Sequence, residues 1–181
     1  MKKKIIAAFL TAAMTIGSLS GVTVFAADAS TDENVEMADA SDVDGTTITF
    51  WHSMGGVNGE AIDTLVKKFN DENEYGITVD AQYQGEYDDS LNKLKSAQIG
   101  NMGADLVQVY EIGTRFMIDS GWIVPMQQMI DADSYDVSEI EPNLAAYYTI
   151  DNELYSMPFN SSTPIMYYNK DMFDKAGITE I

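Results

Sequence analysis

Polar and aromatic side chains follow three predicted strands at the points where those strands end. They occupy positions 51–53 (Trp-His-Ser), 85–87 (Gly-Glu-Tyr) and 110–111 (Tyr-Glu). An ionised carboxylate only accepts hydrogen bonds, whereas a tyrosine combines an apolar ring with a hydroxyl that can donate or accept. Side chains of these types can hold a small polar molecule. The pattern therefore predicts a binding site where the strand ends meet.

The same residues lack the patterns that catalysis needs. His52 is the only histidine, and no Gly-x-Ser-x-Gly element supplies a nucleophile for it. A secreted hydrolase that uses Glu86 and Glu111 as paired carboxylates stays an alternative, provided that their separation fits glycosidase geometry. We therefore expect that this protein is not an enzyme. Trp51 and His52 are predicted to form part of a pocket wall, although Trp51 could equally pack in the core.

No metal or cofactor site is predicted. The chain contains no cysteine, so disulfides and Cys-based metal centres are excluded. Positions 42–45 (Asp-Val-Asp-Gly) resemble part of a calcium loop, but the matching register places Ala40 first and Trp51 twelfth. Calcium loops require carboxylates at both of these positions.

Hydrophobic periodicity predicts the elements that must position these side chains. A β-branched and aromatic run at 47–51 is followed by a helix that Asn58 caps and that ends near Asn73. An alternating strand at 77–83, a helix at 87–99, a strand at 105–110 and a helix at 112–120 follow. This β-α-β-α-β-α order predicts an α/β fold with a parallel-rich sheet flanked by helices. Beyond Trp122 we expect a strand edge and a short helix within 123–130, a second short helix at 139–148, a hairpin at 154–159, and a helix starting near Asp171.

The first 26 residues are typical of an export signal. Three lysines (2–4) precede an apolar run at 5–19, and 24–26 (Val-Phe-Ala) supplies a cleavage pattern. A membrane anchor is the alternative, but the run is short for a bilayer span. Residues 27–45 are small, polar and acidic, which predicts a disordered linker.

The chain is strongly acidic. Its formal charge is -19, and removal of the signal lysines leaves seven basic against 29 acidic side chains. Nucleic acid is therefore not expected as a partner, because binding it needs clustered Lys and Arg. Without a cysteine, acylation after the signal is not expected. The signal predicts an exported protein at the periplasmic or extracellular face of the membrane, and we expect a monomer.

Three sequence blocks resemble the periplasmic glycerol-phosphate-binding proteins, within the family 1 extracellular solute-binding proteins of ABC importers. They are 50–54 (Phe-Trp-His-Ser-Met), 108–111 (Gln-Val-Tyr-Glu) with Gly113 and Thr114, and 158–164 (Pro-Phe-Asn-Ser-Ser-Thr-Pro), continued by Tyr-Tyr-Asn-Lys-Asp at 167–171. Their order and separation also agree with that family, and the resemblance extends over 48–177.

This resemblance implies a two-lobed periplasmic-binding-protein fold of type II. It implies a first lobe at 46–158, and a hinge crossing with the start of a second lobe at 159–181. The family's ligand contacts fall on Tyr87, Glu111 and Ser162, and its phosphate-binding arginine lies beyond this chain. The implied function is capture of sn-glycerol 3-phosphate or a glycerophosphodiester for an ABC permease.

Two further alternatives stay open. One is an oligosaccharide receptor of the same family, since its Tyr-Asn-Lys-Asp element is common to many substrates. The other is a purely structural surface protein, which would show no thermal shift with a small ligand.

Overall fold

The computed structural model describes residues 42–100 and 102–179, so the predicted signal and most of the predicted linker lie outside the described residues. Its elements are β1 Thr47–His52, α1 Gly56–Glu72, β2 Thr78–Tyr83, α2 Tyr87–Gln98, β3 Leu106–Val107, a 3-10 turn Glu111–Gly113, α3 Thr114–Ser120, α4 Met126–Asp133, α5 Pro142–Tyr148, β4 Thr149–Ile150, β5 Glu153–Leu154 and α6 Lys170–Ala176. The predicted alternation of strands and helices through 120 is confirmed. No helix in the described part is long and apolar enough to cross a membrane.

Strands β1, β2 and β3 form a parallel sheet in the order β2-β1-β3. β1 pairs with β2 along its whole length, but only Phe50 and Trp51 pair with β3. The expected strand at 105–110 is therefore much shorter than predicted. Side chains add bonds to the neighbouring backbone at both ends of β3: Asp105 accepts from the N–H of Thr49 at 2.9 Å, and Gln108 accepts from that of Ser53 at 2.9 Å.

The ordered fold begins before Thr46, which corrects the predicted extent of the linker. Val43 is 1% exposed and packs with Ile48 and Ile77 in one buried cluster. The N–H of Gly45 also donates to the carbonyl of Gly76 at 3.1 Å. Burial of the Val43 side chain and this hydrogen bond together attach positions 42–45 to the rest of the fold.

The α1 helix ends as predicted but starts three residues earlier. Gly55 is its N-cap and no side chain caps it, whereas the expected cap, Asn58, lies within the first turn. At the other end, Asn73 follows the helix and its amide bonds the carbonyls of Phe69 and Ile77 at 3.0 and 2.9 Å. These bonds fix the turn from α1 into β2, so β1 and β2 are held in register.

The segment after α3 also differs in detail from expectation. Gly121 ends α3 in the left-handed conformation (φ 65°), as predicted. The hairpin lies at Thr149–Leu154 rather than 154–159, because Asp151 and Asn152 adopt positive φ and form its tight turn. Asp and Asn tolerate this conformation better than most residues. From Asn160 to Asn169 the chain has no regular structure and is exposed.

Candidate functional site

Tyr87 is placed by the turn that joins β2 to α2. Gly85 has φ +96°, a conformation that residues with a side chain rarely adopt, and Tyr87 is the first residue of the helix. Behind it, Ser90 and Leu94 are 2% and 1% exposed. These buried residues anchor α2, so the half-buried Tyr87 sits at a fixed position above the carboxyl ends of the strands.

Tyr110, one of the residues at the predicted end of the third strand, is the neighbour of Tyr87. The two rings are stacked, with centroids 5.4 Å apart and an interplanar angle of 9°. The Tyr110 hydroxyl donates to Asp88, which lies beside Tyr87 in α2. This hydrogen bond, chiefly, raises the pKa of Tyr110 above its ordinary value of 10.0, so the hydroxyl is protonated at neutral pH. The stack joins the end of β3 to the start of α2.

Glu111 follows Tyr110 directly and begins the 3-10 turn. Its side chain is exposed and receives no hydrogen bond or ion pair from the residues that the structure describes. Gly113 lets the turn fold back closely on the preceding segment, because a Cβ there would meet the side chain of Val109 at 2.6 Å, whereas Leu91 of α2 would lie at an ordinary contact distance of 3.4 Å. A carboxylate in this position can accept hydrogen bonds from a bound molecule.

Asn160 connects a third segment to this cluster. Its Oδ1 accepts from Nε2 of Gln108 at 2.7 Å, and its Nδ2 lies 3.4 Å from the Tyr87 hydroxyl and 3.5 Å from the sulfur of Met54. Ser162 is exposed, and two residues of chain span at most about 7 Å, so its Cα lies within that distance of the Asn160 Cα.

The structure therefore brings together the three segments that carry the predicted contacts, Tyr87, Glu111 and Ser162. Tyr110 links the first two, and Asn160 brings the segment of the third against Tyr87. Sequence reasoning placed Tyr110 at a strand end without giving it a role as a contact, and it missed Asn160, although both stand inside the blocks that carried the resemblance.

Trp51 and His52, the expected pocket-wall residues, differ in how far they reach the surface. Trp51 is half-buried on β1, and its indole N–H donates to Gln82 at 3.1 Å. His52 is 3% exposed, with its ring between those of Phe50 and Tyr83. Its Nδ1 accepts from the N–H of Met54 at 3.3 Å, so that nitrogen is the unprotonated one. His52 thus supports the 53–56 loop from beneath and presents almost no surface to a ligand.

We expect the stability of the fold to depend on pH through His52. Burial lowers its pKa below the ordinary value of 6.5, and the negative charge of Asp63 opposes this only in part. As the pH falls through 6.5, His52 of the unfolded chain therefore binds a proton that His52 of the folded chain does not yet bind. The free energy of unfolding should lose about 1.4 kcal/mol for every pH unit between the two pKa values. The loss begins as the pH falls through 6.5 and ends at the folded-state pKa.

Urea unfolding at pH 7.5, 6.5 and 5.5 would measure this dependence, with His52→Gln as the comparison. Subtracting the profile of the variant removes the contribution of the carboxylates. Identical slopes for the two proteins would show that His52 does not titrate differently on folding.

A groove beside β3 lies next to the predicted site without including it. Its volume is about 500 Å³, and none of Tyr87, Glu111, Ser162, Trp51 and His52 lines it. Most of its walls are apolar, including Phe50, Leu94, Leu106, Met117, Trp122 and Phe159. It shares only Gln108 and Asn160 with the cluster above, so the two features are adjacent but distinct.

Charged groups outside the cluster are paired or isolated. Arg115, the only arginine of the chain, forms an ion pair with Asp119 one turn along α3, 2.7 Å apart. In residues 42–100 and 102–179, no group of three or more His, Asp or Glu side chains could hold a metal ion.

The sequence and fold of this chain are similar to those of known proteins. Residues 64–181 match the family described as bacterial extracellular solute-binding protein. The chain belongs to this family. The resemblance drawn from the three sequence blocks is thereby confirmed.

Relatives of this solute-binding protein include the sn-glycerol-3-phosphate-binding periplasmic proteins of Salmonella typhimurium and Escherichia coli K12. They are 44% and 42% identical to it, each over 139 residues, which is 74% of this chain and 31% of the relative. The chain thus spans about a third of the length of these relatives.

Solved structures of solute-binding proteins share its fold. A periplasmic solute-binding protein from Pectobacterium atrosepticum superposes with a TM-score of 0.59 at 22% identity, covering 74% of this chain and 32% of its own. The sugar-binding protein MalE from Xanthomonas citri gives 0.55 at 24% identity, covering 62% and 28%. The predicted periplasmic-binding-protein-like α/β class is confirmed.

Proposed function

We propose that this chain forms one wall of a site for a small phosphorylated polyol, in the solute-binding subunit of an ABC importer. The ligand would be sn-glycerol 3-phosphate or a glycerophosphodiester, bound by Tyr87, Glu111 and Ser162. One observation carries the proposal: three segments distant in sequence converge at the strand ends, each with an exposed or half-exposed polar group. The names of the 42–44% identical relatives supply the ligand class.

Each side chain has a physical role in such a site. Glu111, ionised and without a donor in the described part of the chain, accepts from ligand hydroxyls. Tyr87 offers a hydroxyl on a ring held by its stack with Tyr110, and Ser162 can donate or accept. None of these roles makes or breaks a covalent bond, so capture rather than catalysis is the proposed activity.

The proposed mechanism is capture between two lobes. The segment 159–169 leaves the sheet as an exposed strap, and in the proposed two-lobed protein it is the crossing to the second lobe. A ligand that touches both lobes favours the closed form, because only that form makes both sets of contacts. The closed form is then the one that the permease subunits recognise, at the outer face of the membrane after export.

An oligosaccharide ligand is the second candidate. The stacked rings of Tyr87 and Tyr110 favour it, because aromatic faces pack well against the apolar faces of sugar rings. The neutral hydroxyls of a sugar would also suit Glu111. This candidate uses the same cluster, so only the ligand distinguishes it from the first.

Isothermal calorimetry tests the proposal on the protein that the whole reading frame encodes. We expect saturable one-to-one binding of sn-glycerol 3-phosphate or glycerophosphocholine, and no heat from maltotriose. Binding of maltotriose alone would select the oligosaccharide receptor. Binding of none of the three, with no thermal shift, would reject both candidates.

A further inference from the structure

Four polar groups form a chain of hydrogen bonds beneath the candidate site. The backbone N–H of Ser53 donates to Oε1 of Gln108 at 2.9 Å, and Nε2 of Gln108 donates to Oδ1 of Asn160 at 2.7 Å. Nδ2 of Asn160 then lies 3.4 Å from the hydroxyl of Tyr87. The chain runs from the end of β1 to the start of α2.

The direction of this chain is dictated by its first member. A backbone N–H can only donate, so the Gln108 atom that faces Ser53 must be the oxygen. The nitrogen of Gln108 therefore faces Asn160, and the Asn160 atom that meets it must again be the oxygen. The Asn160 nitrogen, which can only donate, is left facing Tyr87. One backbone amide thus sets the orientation of two side-chain amides.

This orientation of Asn160 determines where the hydroxyl proton of Tyr87 can point. Because Asn160 offers it a donor, the Tyr87 oxygen acts as the acceptor of that contact. In the described residues the Tyr87 hydroxyl has no acceptor for its own proton. Tyr110 does not supply one, since its hydroxyl donates to Asp88. The free proton of Tyr87 is available to a ligand oxygen.

We propose that Asn160 is a positioning residue of the ligand site, which through Gln108 and Ser53 makes the Tyr87 hydroxyl a donor toward bound ligand. The inference rests on the proposed function and deepens it. A ligand oxygen at Tyr87 must be an acceptor, such as a phosphoryl oxygen, whereas a group at Glu111 must be a donor, such as a hydroxyl. The site is thereby polarised, with one end for each half of a polyol phosphate.

The orientation itself is tested without ligand, by NMR on protein with ¹⁵N-labelled Asn and Gln side chains. We expect nuclear Overhauser effects from the Nδ2 protons of Asn160 to the ring protons beside the Tyr87 hydroxyl. Gln108→Leu should weaken them, because the Asn160 amide then loses the partner that orients it. Absence of these effects in the unsubstituted protein, or their persistence in Gln108→Leu, would overturn the proposal.

The effect on binding is tested by a double-mutant cycle in calorimetry with sn-glycerol 3-phosphate. We expect Tyr87→Phe to weaken affinity about 10-fold or more, and Asn160→Ala about 3- to 10-fold, the ranges for losing one hydrogen bond to a charged or a neutral group. The double variant should lie within about twofold of Tyr87→Phe, because Asn160 acts through the hydroxyl that Phe lacks. Asn143→Ala removes an exposed amide elsewhere, bonded to Glu141, and should change nothing.

The outcomes separate this proposal from the proposed function. If the single effects multiply in the double variant, or Asn160→Ala binds normally, Asn160 does not act through Tyr87. If the unsubstituted protein does not bind sn-glycerol 3-phosphate, the proposed function fails. The NMR result then still decides the orientation of the amide chain.

Discussion

Glu111→Ala is expected to weaken binding of sn-glycerol 3-phosphate by about 10- to 150-fold, since a hydrogen bond to a charged group contributes about 1.5–3 kcal/mol. The carboxylate is exposed and has no donor of its own in the described residues, so its hydrogen-bonding capacity is available to a ligand. A carboxylate repels phosphate, so the loss implies that Glu111 faces the hydroxyl end. Isothermal calorimetry on the protein that the whole reading frame encodes measures this change in affinity.

A competing explanation for Glu111 is stabilisation of the helical turn that it begins. Acidic residues at helix starts interact favourably with the helix dipole, which contributes about 0.3–1 kcal/mol. Under that explanation, Glu111→Ala would lower the melting temperature slightly and leave affinity unchanged. Glu141→Ala is the matched control, because Glu141 is an exposed N-cap of α5 outside the cluster. Unchanged affinity in Glu111→Ala would remove Glu111 from the site.

Leu94→Ala should produce the largest loss of stability among single truncations, about 2–5 kcal/mol. Leu94 is 1% exposed and lies among the largest fully buried side chains of the described part. Its removal leaves a cavity beneath α2, the helix that carries Tyr87 at its first turn. Chemical unfolding in urea measures the change, and below the melting transition ligand affinity should fall less than in Glu111→Ala.

Leu65→Ala is the control for this prediction. Leu65 is 58% exposed on α1, so its truncation removes little buried surface and should lower the free energy of unfolding by less than about 1 kcal/mol. Equal losses for the two variants would mean that α2 is not packed as the structure has it, and would undermine the fixed position assigned to Tyr87.

Local patterns were sufficient for most of the fold. The period-two run at 77–83 and the apolar stripe of α1 depend only on neighbouring residues, so both elements could be predicted. The burial of Val43 depends instead on Ile48 and Ile77, which no local pattern reveals. Likewise, the side chains of Asp105 and Gln108 at the ends of the short β3 bond the backbone of Thr49 and Ser53, which stand 56 and 55 positions earlier in the sequence.

The candidate site was also predictable only where it depends on local sequence patterns. The rule that ligands gather at strand ends directed attention to Tyr87 and Glu111. Asn160 and Tyr87 are 73 residues apart, and their contact exists only once the chain is folded. His52 shows the opposite limit: its position at a strand end suggested a pocket wall, but its ring is 3% exposed and packs against Phe50 and Tyr83.

A crystal structure of the protein of the whole reading frame, grown with sn-glycerol 3-phosphate, tests the location of the site most directly. We predict a ligand hydroxyl within hydrogen-bond distance of the Glu111 carboxylate and a phosphoryl oxygen within that distance of the Tyr87 hydroxyl. A ligand seated in the apolar groove beside β3, or bound away from both residues, would contradict the account.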